Sequence, residues 1–163
     1  MLERIESTIN GIKTVLLNDE QIRKLLFNDS NNALELPSPT KQEVENYITN
    51  YPVFEFENKK DYAQNSMINI FLTNATPDDE YNACDGIIQI SVVTNVDKWS
   101  LTDGGIRPIK LANRIIKLLD NKKFSISNPI KFDTMDNLIL SKQLVGYALL
   151  FSLTDGNSNL ENF

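Results

Sequence analysis

The chain has 163 residues, of which 41% are hydrophobic and 23% charged, and a formal net charge of -6. A chain of this length buries roughly 70% of its unfolded surface, which is enough for one folded domain with its own core. It has no histidine and a single cysteine, Cys84, so histidine-based catalytic triads, histidine-ligated zinc sites and intramolecular disulfides are excluded. The acidic balance argues against general nucleic-acid affinity, although an acidic lining would let DNA pass without binding.

We expect no signal peptide in the N-terminal residues, because acidic side chains lie where an apolar segment would be needed. No apolar run is long enough to span a bilayer. We therefore expect a protein that is made in the cytoplasm and does not enter a membrane.

The first fifty residues predict three helices. An apolar stripe at helical spacing indicates the first of them and consists of Leu2, Ile5, Ile9, Ile12 and Leu16. Asn18 and Gln21 resemble a capping box at the start of a second helix. Thr40 and Glu43 form a capping box for a short third helix.

Two strands are predicted next, over Met67–Thr73 and Gly86–Thr94. The second is hydrophobic on both faces, which is typical of a central strand. The segment 74–82 between them is acidic and longer than a tight hairpin needs, so we expect a loop there.

Pro108 is suited to the first turn of a fourth helix. Its predicted apolar face consists of Ile109, Ala112, Ile115, Ile116 and Leu119, and its opposite, basic face consists of Lys110, Arg114 and Lys117. A strand is predicted over residues 124–130, residues 138–140 are ambiguous, and Leu144–Leu153 is the clearest strand because Val145, Tyr147, Leu149 and Phe151 alternate with smaller residues.

This order of elements predicts an α+β fold: a mostly antiparallel sheet with one crossover helix packed on it and an N-terminal helical segment. We expect a single domain over residues 1–163. Within it, residues 1–50 form the helical segment, 51–153 the sheet with its crossover helix, and 154–163 a flexible tail.

No catalytic, cofactor-binding or metal-ligating residues are predicted. The carboxylates Asp78, Asp79, Glu80 and Asp85 lack the spacing of a calcium loop and are typical of a solvated loop. Residues 103–105 precede a helix but lack a phosphate-binding fingerprint. Cys84 has no histidine to activate it.

Two residues in the connection before the fourth helix are candidate subunit contacts. Trp99 lies in a polar loop, where a tryptophan either folds back onto the core or anchors an interface. Arg107 precedes the helix and is suited to a bidentate contact with a neighbour's carboxylate, or to a local pair.

Residues 66–153 resemble the tail terminator and tail-to-head joining proteins of tailed bacteriophages. The resemblance lies in the strand GIIQISVVT at 86–94, the loop ending in Gly105-Ile106-Arg107, the helix at 109–119 and the strand GYALLF at 146–151. It implies an α+β subunit of a ring, usually hexameric, that caps the tail tube and joins it to the neck or connector proteins. It also implies passage of DNA without sequence-specific binding, and a place in the virion after assembly in the host cytoplasm.

Our sequence-based hypothesis is therefore a structural, non-enzymatic virion protein that forms a homo-oligomeric ring. Lys110, Arg114 and Lys117 are the candidate basic partners of an acidic loop formed by Asp78, Asp79 and Glu80, which lies either at the subunit interface or in the lumen. The alternatives are another neck component such as a head-closure or adaptor protein, an acidic inhibitory binding protein, and a small enzyme with a carboxylate site.

Overall fold

The computed structural model describes residues 2–51, 66–78, 83–126 and 128–156. The described helices are α1 (Leu2–Asn18), α2 (Glu20–Phe27), α3 (Lys41–Val44) and α4 (Arg107–Leu119). The described strands are β1 (Ile48–Thr49), β2 (Met67–Asp78), β3 (Ala83–Asn95), β4 (Lys131–Ile139) and β5 (Leu144–Asp155). Short 3₁₀ turns occupy Ala33–Glu35, Glu45–Tyr47 and Val96–Lys98.

The five strands form one open sheet in the order β1-β2-β3-β5-β4. β1 pairs with β2 in parallel and the other neighbours are antiparallel. The α+β prediction is therefore confirmed, and so is the central position of β3. Because β5 is antiparallel to both β3 and β4, those two strands run in the same direction, and α4 is the crossover that connects them.

One face of the sheet, here called the helix face, packs against the helices. Its buried side chains and those of α1, α2 and α4 belong to one hydrophobic cluster, which on the sheet includes Ile68, Ile70, Ile88, Ile90, Leu149 and Phe151. α1 lies over β1 and β2, whereas α4 lies over β3, β5 and β4. We call the opposite side of the sheet the outer face.

The N-terminal helices follow the predicted pattern with one shift at a cap. Ile5, Ile12 and Leu16 are buried along α1, and the Thr40–Glu43 capping box is present at α3. Asp19, rather than Asn18, caps α2, because its side chain accepts a hydrogen bond from the Ile22 N–H. The predicted cap was therefore wrong by one residue.

The region predicted as a long loop over 74–82 is mostly strand. β2 continues to Asp78, which pairs with Ala83, and a register irregularity between Leu72 and Asn74 accommodates the break in alternation. Only four residues therefore separate β2 from β3, and the hairpin is tighter than the sequence suggested.

The prediction of a strand over residues 124–130 was wrong, because the described strand that follows α4 is β4, over Lys131–Ile139. β4 is an edge strand whose residues are almost all exposed, so hydrophobic alternation does not mark it. Phe132 is its anchor to the core and meets Phe151 edge to face at 5.5 Å.

β5 is longer and less evenly buried than predicted. It continues beyond Leu153 to Asp155, so the first two residues of the predicted tail lie in the strand. Leu149 and Phe151 are fully buried, but Val145 and Tyr147 are half-buried on the same face. Removing the Tyr147 ring would thus cost less than the roughly 3 kcal/mol expected for a fully buried aromatic ring.

Candidate assembly surfaces

Arg107 begins α4, and its side chain lies inside the folded chain with 1% of its surface exposed. Its guanidinium donates hydrogen bonds of 2.5–2.8 Å to four backbone carbonyl oxygens, those of Leu25, Asn28, Ser30 and Lys98. Burial lowers the pKa of Arg107, and the nearby Asp29 carboxylate partly offsets this. The predicted contact with a neighbour's carboxylate does not agree with this burial.

The carbonyl groups around Arg107 explain why its side chain is buried there. The last carbonyls of a helix have no partner within that helix, and α2 ends at Phe27. Five N–H donors arranged as a fork suit such a group of acceptors. Arg107 therefore fixes the C-terminal end of α2, and the turn after it, to the start of α4.

Arg114 forms an ion pair with Asp19 within the same subunit. Its Nε and Nη2 atoms lie 3.0 and 2.7 Å from one carboxylate oxygen of Asp19. Burial alone raises the pKa of Asp19. The hydrogen bonds from Arg114 and from the Ile22 N–H lower this pKa by more than burial raises it, so the pKa of Asp19 lies below its ordinary value. The charge of Arg114 is therefore largely compensated inside the subunit.

Lys110 is compensated in a similar way by Asp103. The other oxygen of Asp103 accepts a hydrogen bond of 2.9 Å from the Gly105 N–H, across a turn in which Gly104 has a φ of 77°. The Lys110 ammonium and this N–H lower the pKa of Asp103. The segment 103–105 thus forms a turn that leads into α4.

Lys117 differs from the other two basic residues of α4. It is exposed and forms no ion pair with any residue that the structure describes. With Ile109 and Asn113 it makes an exposed row at four-residue spacing, which we call the α4 stripe. Ile109 was predicted to face the core, but 40% of it is exposed, because the buried side of α4 is centred on Leu111 and Ile115.

Trp99 is half-buried and folds back onto the chain. Its indole Nε1 donates a hydrogen bond of 3.3 Å to the carbonyl oxygen of Thr94, at the end of β3. Part of the ring remains accessible, and its role as an interface anchor stays a prediction.

The acidic loop predicted from Asp78, Asp79 and Glu80 is only partly within the described residues. The backbone of Asp78 ends β2, whereas Asp79 and Glu80 lie outside the described ranges. The hypothesis that this loop meets a neighbour or lines a lumen therefore stays a prediction.

The outer face carries a second acidic feature, which sequence reasoning missed. Asp85 and Asp133 border an open hollow of about 350 Å³ that is also lined by Asn74, Thr76, Ser152 and Thr154. The Ser152 hydroxyl donates a hydrogen bond of 3.2 Å to Asp133. We call this feature the acidic depression. It could not be found from the sequence because Asp133 lies in β4, the strand that was not predicted.

The outer face is partly exposed next to the acidic depression. Phe71, Gln89 and Leu150 form one row across β2, β3 and β5, and all three are half-buried. At the edge of the sheet, β4 exposes Met135 by 41% and Ile139 by 74%. The protein therefore has apolar surface outside its core on both sides of the sheet.

Cys84 is buried beside the end of β5. Burial raises the pKa of its thiol, and the carboxylates of Asp85 and Asp155 add to this. A raised pKa reduces the thiolate fraction, which is the reactive form. The described residues contain no group of three or more metal-binding side chains, and none of the described helices is long and apolar enough to cross a bilayer.

This arrangement defines an α+β protein with two layers, the sheet and the helices, and with unlike surfaces on its two sides. A protein-family model described as YomW matches residues 19–153. The chain therefore belongs to the YomW family, and the match includes the sheet and α4 but not α1. A search of curated proteins found no match.

Proposed function

We propose that this protein is a structural subunit of a phage tail, a tail terminator that forms a ring on the tail tube and joins it to the neck. The alternative within the same class is another neck component, such as a head-closure or adaptor protein. The proposal extends the resemblance of residues 66–153 to tail terminator and joining proteins. That resemblance was based on a strand–loop–helix–strand layout, and these elements are present as β3, α4 and β5.

The observation that carries the proposal is the difference between the two sides of the subunit. The helix side exposes the α4 stripe, with an isoleucine and a lysine that pairs with no described carboxylate, whereas the other side exposes a partly apolar sheet face with the acidic depression. A ring requires two different surfaces on each subunit, because each copy contacts its two neighbours through unlike patches.

The test is the mass of the purified protein, alone and mixed with isolated tail tubes. We expect a closed ring, hexameric by the resemblance, either in solution or at one end of each tube by electron microscopy. A tail terminator would stop further growth of the tube at that end. Binding to an isolated portal or connector, without tube binding, would instead identify a neck component.

A protein that stays monomeric at all concentrations, and binds neither tubes nor connectors, would contradict the proposal. The acidic inhibitory protein would then be the better hypothesis, and a pull-down with nucleic-acid-binding enzymes would test it.

A further inference from the structure

We infer that the α4 stripe of one subunit packs along the outer face of a second copy of the chain, with Lys117 at the acidic depression of that copy. The inference rests on the proposed function, because this contact is the one that would build the ring. The second copy would thus cover the end of the outer face next to the depression, because Asn69, Ser91 and Val93 further along this face are already buried within one chain.

The charges on the two surfaces are complementary. Lys117 is the cation of α4 that no described carboxylate compensates, since Asp103 pairs with Lys110 and Asp19 pairs with Arg114. Lys122 and Lys123, just beyond the end of α4, are exposed as well. Opposite charges that face each other across an interface set its register and its rate of formation.

The acidic depression offers a matching site for such a lysine. Asp85 and Asp133 are both exposed at its rim, and no lysine or arginine among the described residues forms an ion pair with either. An ammonium group has three donors, which suit the two carboxylates and one of the hydroxyls of Ser152 and Thr154.

The spacing of charged and apolar positions also agrees between the two surfaces. Ile109 and Lys117 are eight residues apart in α4, which corresponds to about 12 Å along a helix. Asp85 and Gln89 are four residues apart in β3, which corresponds to about 13 Å along a strand. Gln89 lies in the row with Phe71 and Leu150. A helix aligned with β3 would therefore place Lys117 at the depression and Ile109 beside Gln89, between Phe71 and Leu150.

The position of the two surfaces in the subunit favours a second copy over another partner. α4 covers the helix face, and the depression opens on the outer face, so one molecule cannot bring them together. Between copies the contact joins unlike patches, and its repetition either closes a ring or extends a filament. Duplex DNA is the rival occupant of a lysine-bearing helix, but the stripe itself has one cation beside an isoleucine.

The experiment is a charge exchange measured by sedimentation of the full chain. Lys117→Glu, and separately Asp85→Lys with Asp133→Lys, should each raise the dissociation constant between subunits by at least about tenfold. The variant that carries all three substitutions should recover most of the assembly. Lys142→Glu and Asp97→Lys are the matched controls, because both side chains are exposed in turns at the opposite end of the sheet, and they should assemble like the parent.

Circular dichroism and the melting temperature show whether each variant folds. If a lysine in β4 prevents folding, Asp85→Asn with Asp133→Asn removes the same charges and keeps an acceptor for Ser152. This pair should weaken assembly without loss of the fold.

The outcomes separate the inference from the proposed function. A parent ring that survives every reversal would overturn the inference and leave the function standing. A parent that forms no ring, alone or on tubes, would overturn both. A ring that survives Lys117→Glu, while the binding of a duplex DNA probe is lost, would show that the stripe contacts nucleic acid and would also overturn the inference.

Discussion

The two ends of α4 use cations in opposite ways. At the first residue, Arg107 is buried and holds four carbonyl oxygens of its own subunit. Near the last turn, Lys117 is exposed and forms no ion pair with a described residue. Arg114 lies between these extremes, since its side chain is 37% exposed and is paired with Asp19.

This change in the burial of the cations along α4 follows from what lies next to each part of the helix. The start of α4 adjoins the end of α2 and the turn after β3, where unpaired carbonyls require donors. Its outward side adjoins solvent, where a lysine head remains hydrated at little cost. The same residue class therefore stabilises the fold at one end and is free to contact a partner at the other.

The largest effect is expected at Arg107. Arg107→Met removes the donors of four carbonyl oxygens, and each buried acceptor left without a donor costs about 1–3 kcal/mol unless water reaches it. We expect the free energy of unfolding in urea to fall by about 3 kcal/mol. Arg107→Lys should recover only part of it, because an ammonium lacks the planar fork.

Protein concentration separates this internal role from a role at a subunit contact. A loss within the subunit is the same at every concentration, whereas a weakened contact gives a loss that varies with concentration. If Arg107→Met unfolds like the parent but dissociates more readily, the residue acts between subunits and the comparison fails.

A smaller effect is expected at Asp19, which both caps α2 and pairs with Arg114. Asp19→Ala should cost about 1 kcal/mol through the lost cap alone. Asp19→Asn retains a good capping side chain and isolates the ion pair.

The ion pair should also depend on pH. Because the pKa of Asp19 is lowered in the folded state from its ordinary value of 3.8, the contribution of the ion pair is fully present above that value and is lost as the pH falls through the lower, folded pKa. The difference between parent and Asp19→Asn should therefore disappear in acid, and a difference that persists there would rule out the ion pair as its cause.

The hydrophobic pattern of the sequence predicted those elements whose burial on one side decides which of their residues are apolar. β3 and β5 lie in the middle of the sheet and α1 packs on it, so burial imposes a period on their sequences. β4 pairs with β5 along its length, yet its free edge and its exposure remove that constraint. Only Phe132 and the half-buried Leu138 interrupt its exposed residues, and a bulge between Phe132 and Thr134 breaks the alternation.

The candidate site was less predictable because charge type does not determine location. The three basic residues of α4 were grouped correctly on one side of a helix, but the sequence did not show that Asp19 and Asp103 would meet two of them. Asp19 is 95 residues from Arg114, and a long-range pair of that kind depends on how the helices pack. Asp103 is only seven residues from Lys110, but their contact depends on the turn at residues 103–105 that leads into α4. The acidic depression likewise combines residues of β2, β3, β4 and β5.

The smallest effect on stability is expected at Lys117, the opposite end of the comparison. Lys117→Met removes an exposed charge that has no described ion-pair partner, so the free energy of unfolding at high salt should change by less than about 0.5 kcal/mol. A small loss is expected in any case, because a cation near the C-terminal end of a helix interacts favourably with the helix dipole, by about 0.3–1 kcal/mol at low salt. Comparing urea unfolding at low and high salt isolates this contribution, since screening at high salt suppresses it.

Lys123→Met is the matched control, because Lys123 is exposed just beyond α4 and should show a similarly small effect. If Lys117→Met instead costs as much as Arg107→Met at high salt, Lys117 has a partner within the subunit, the two ends of α4 serve the same purpose, and Lys117 is not free to meet a second copy.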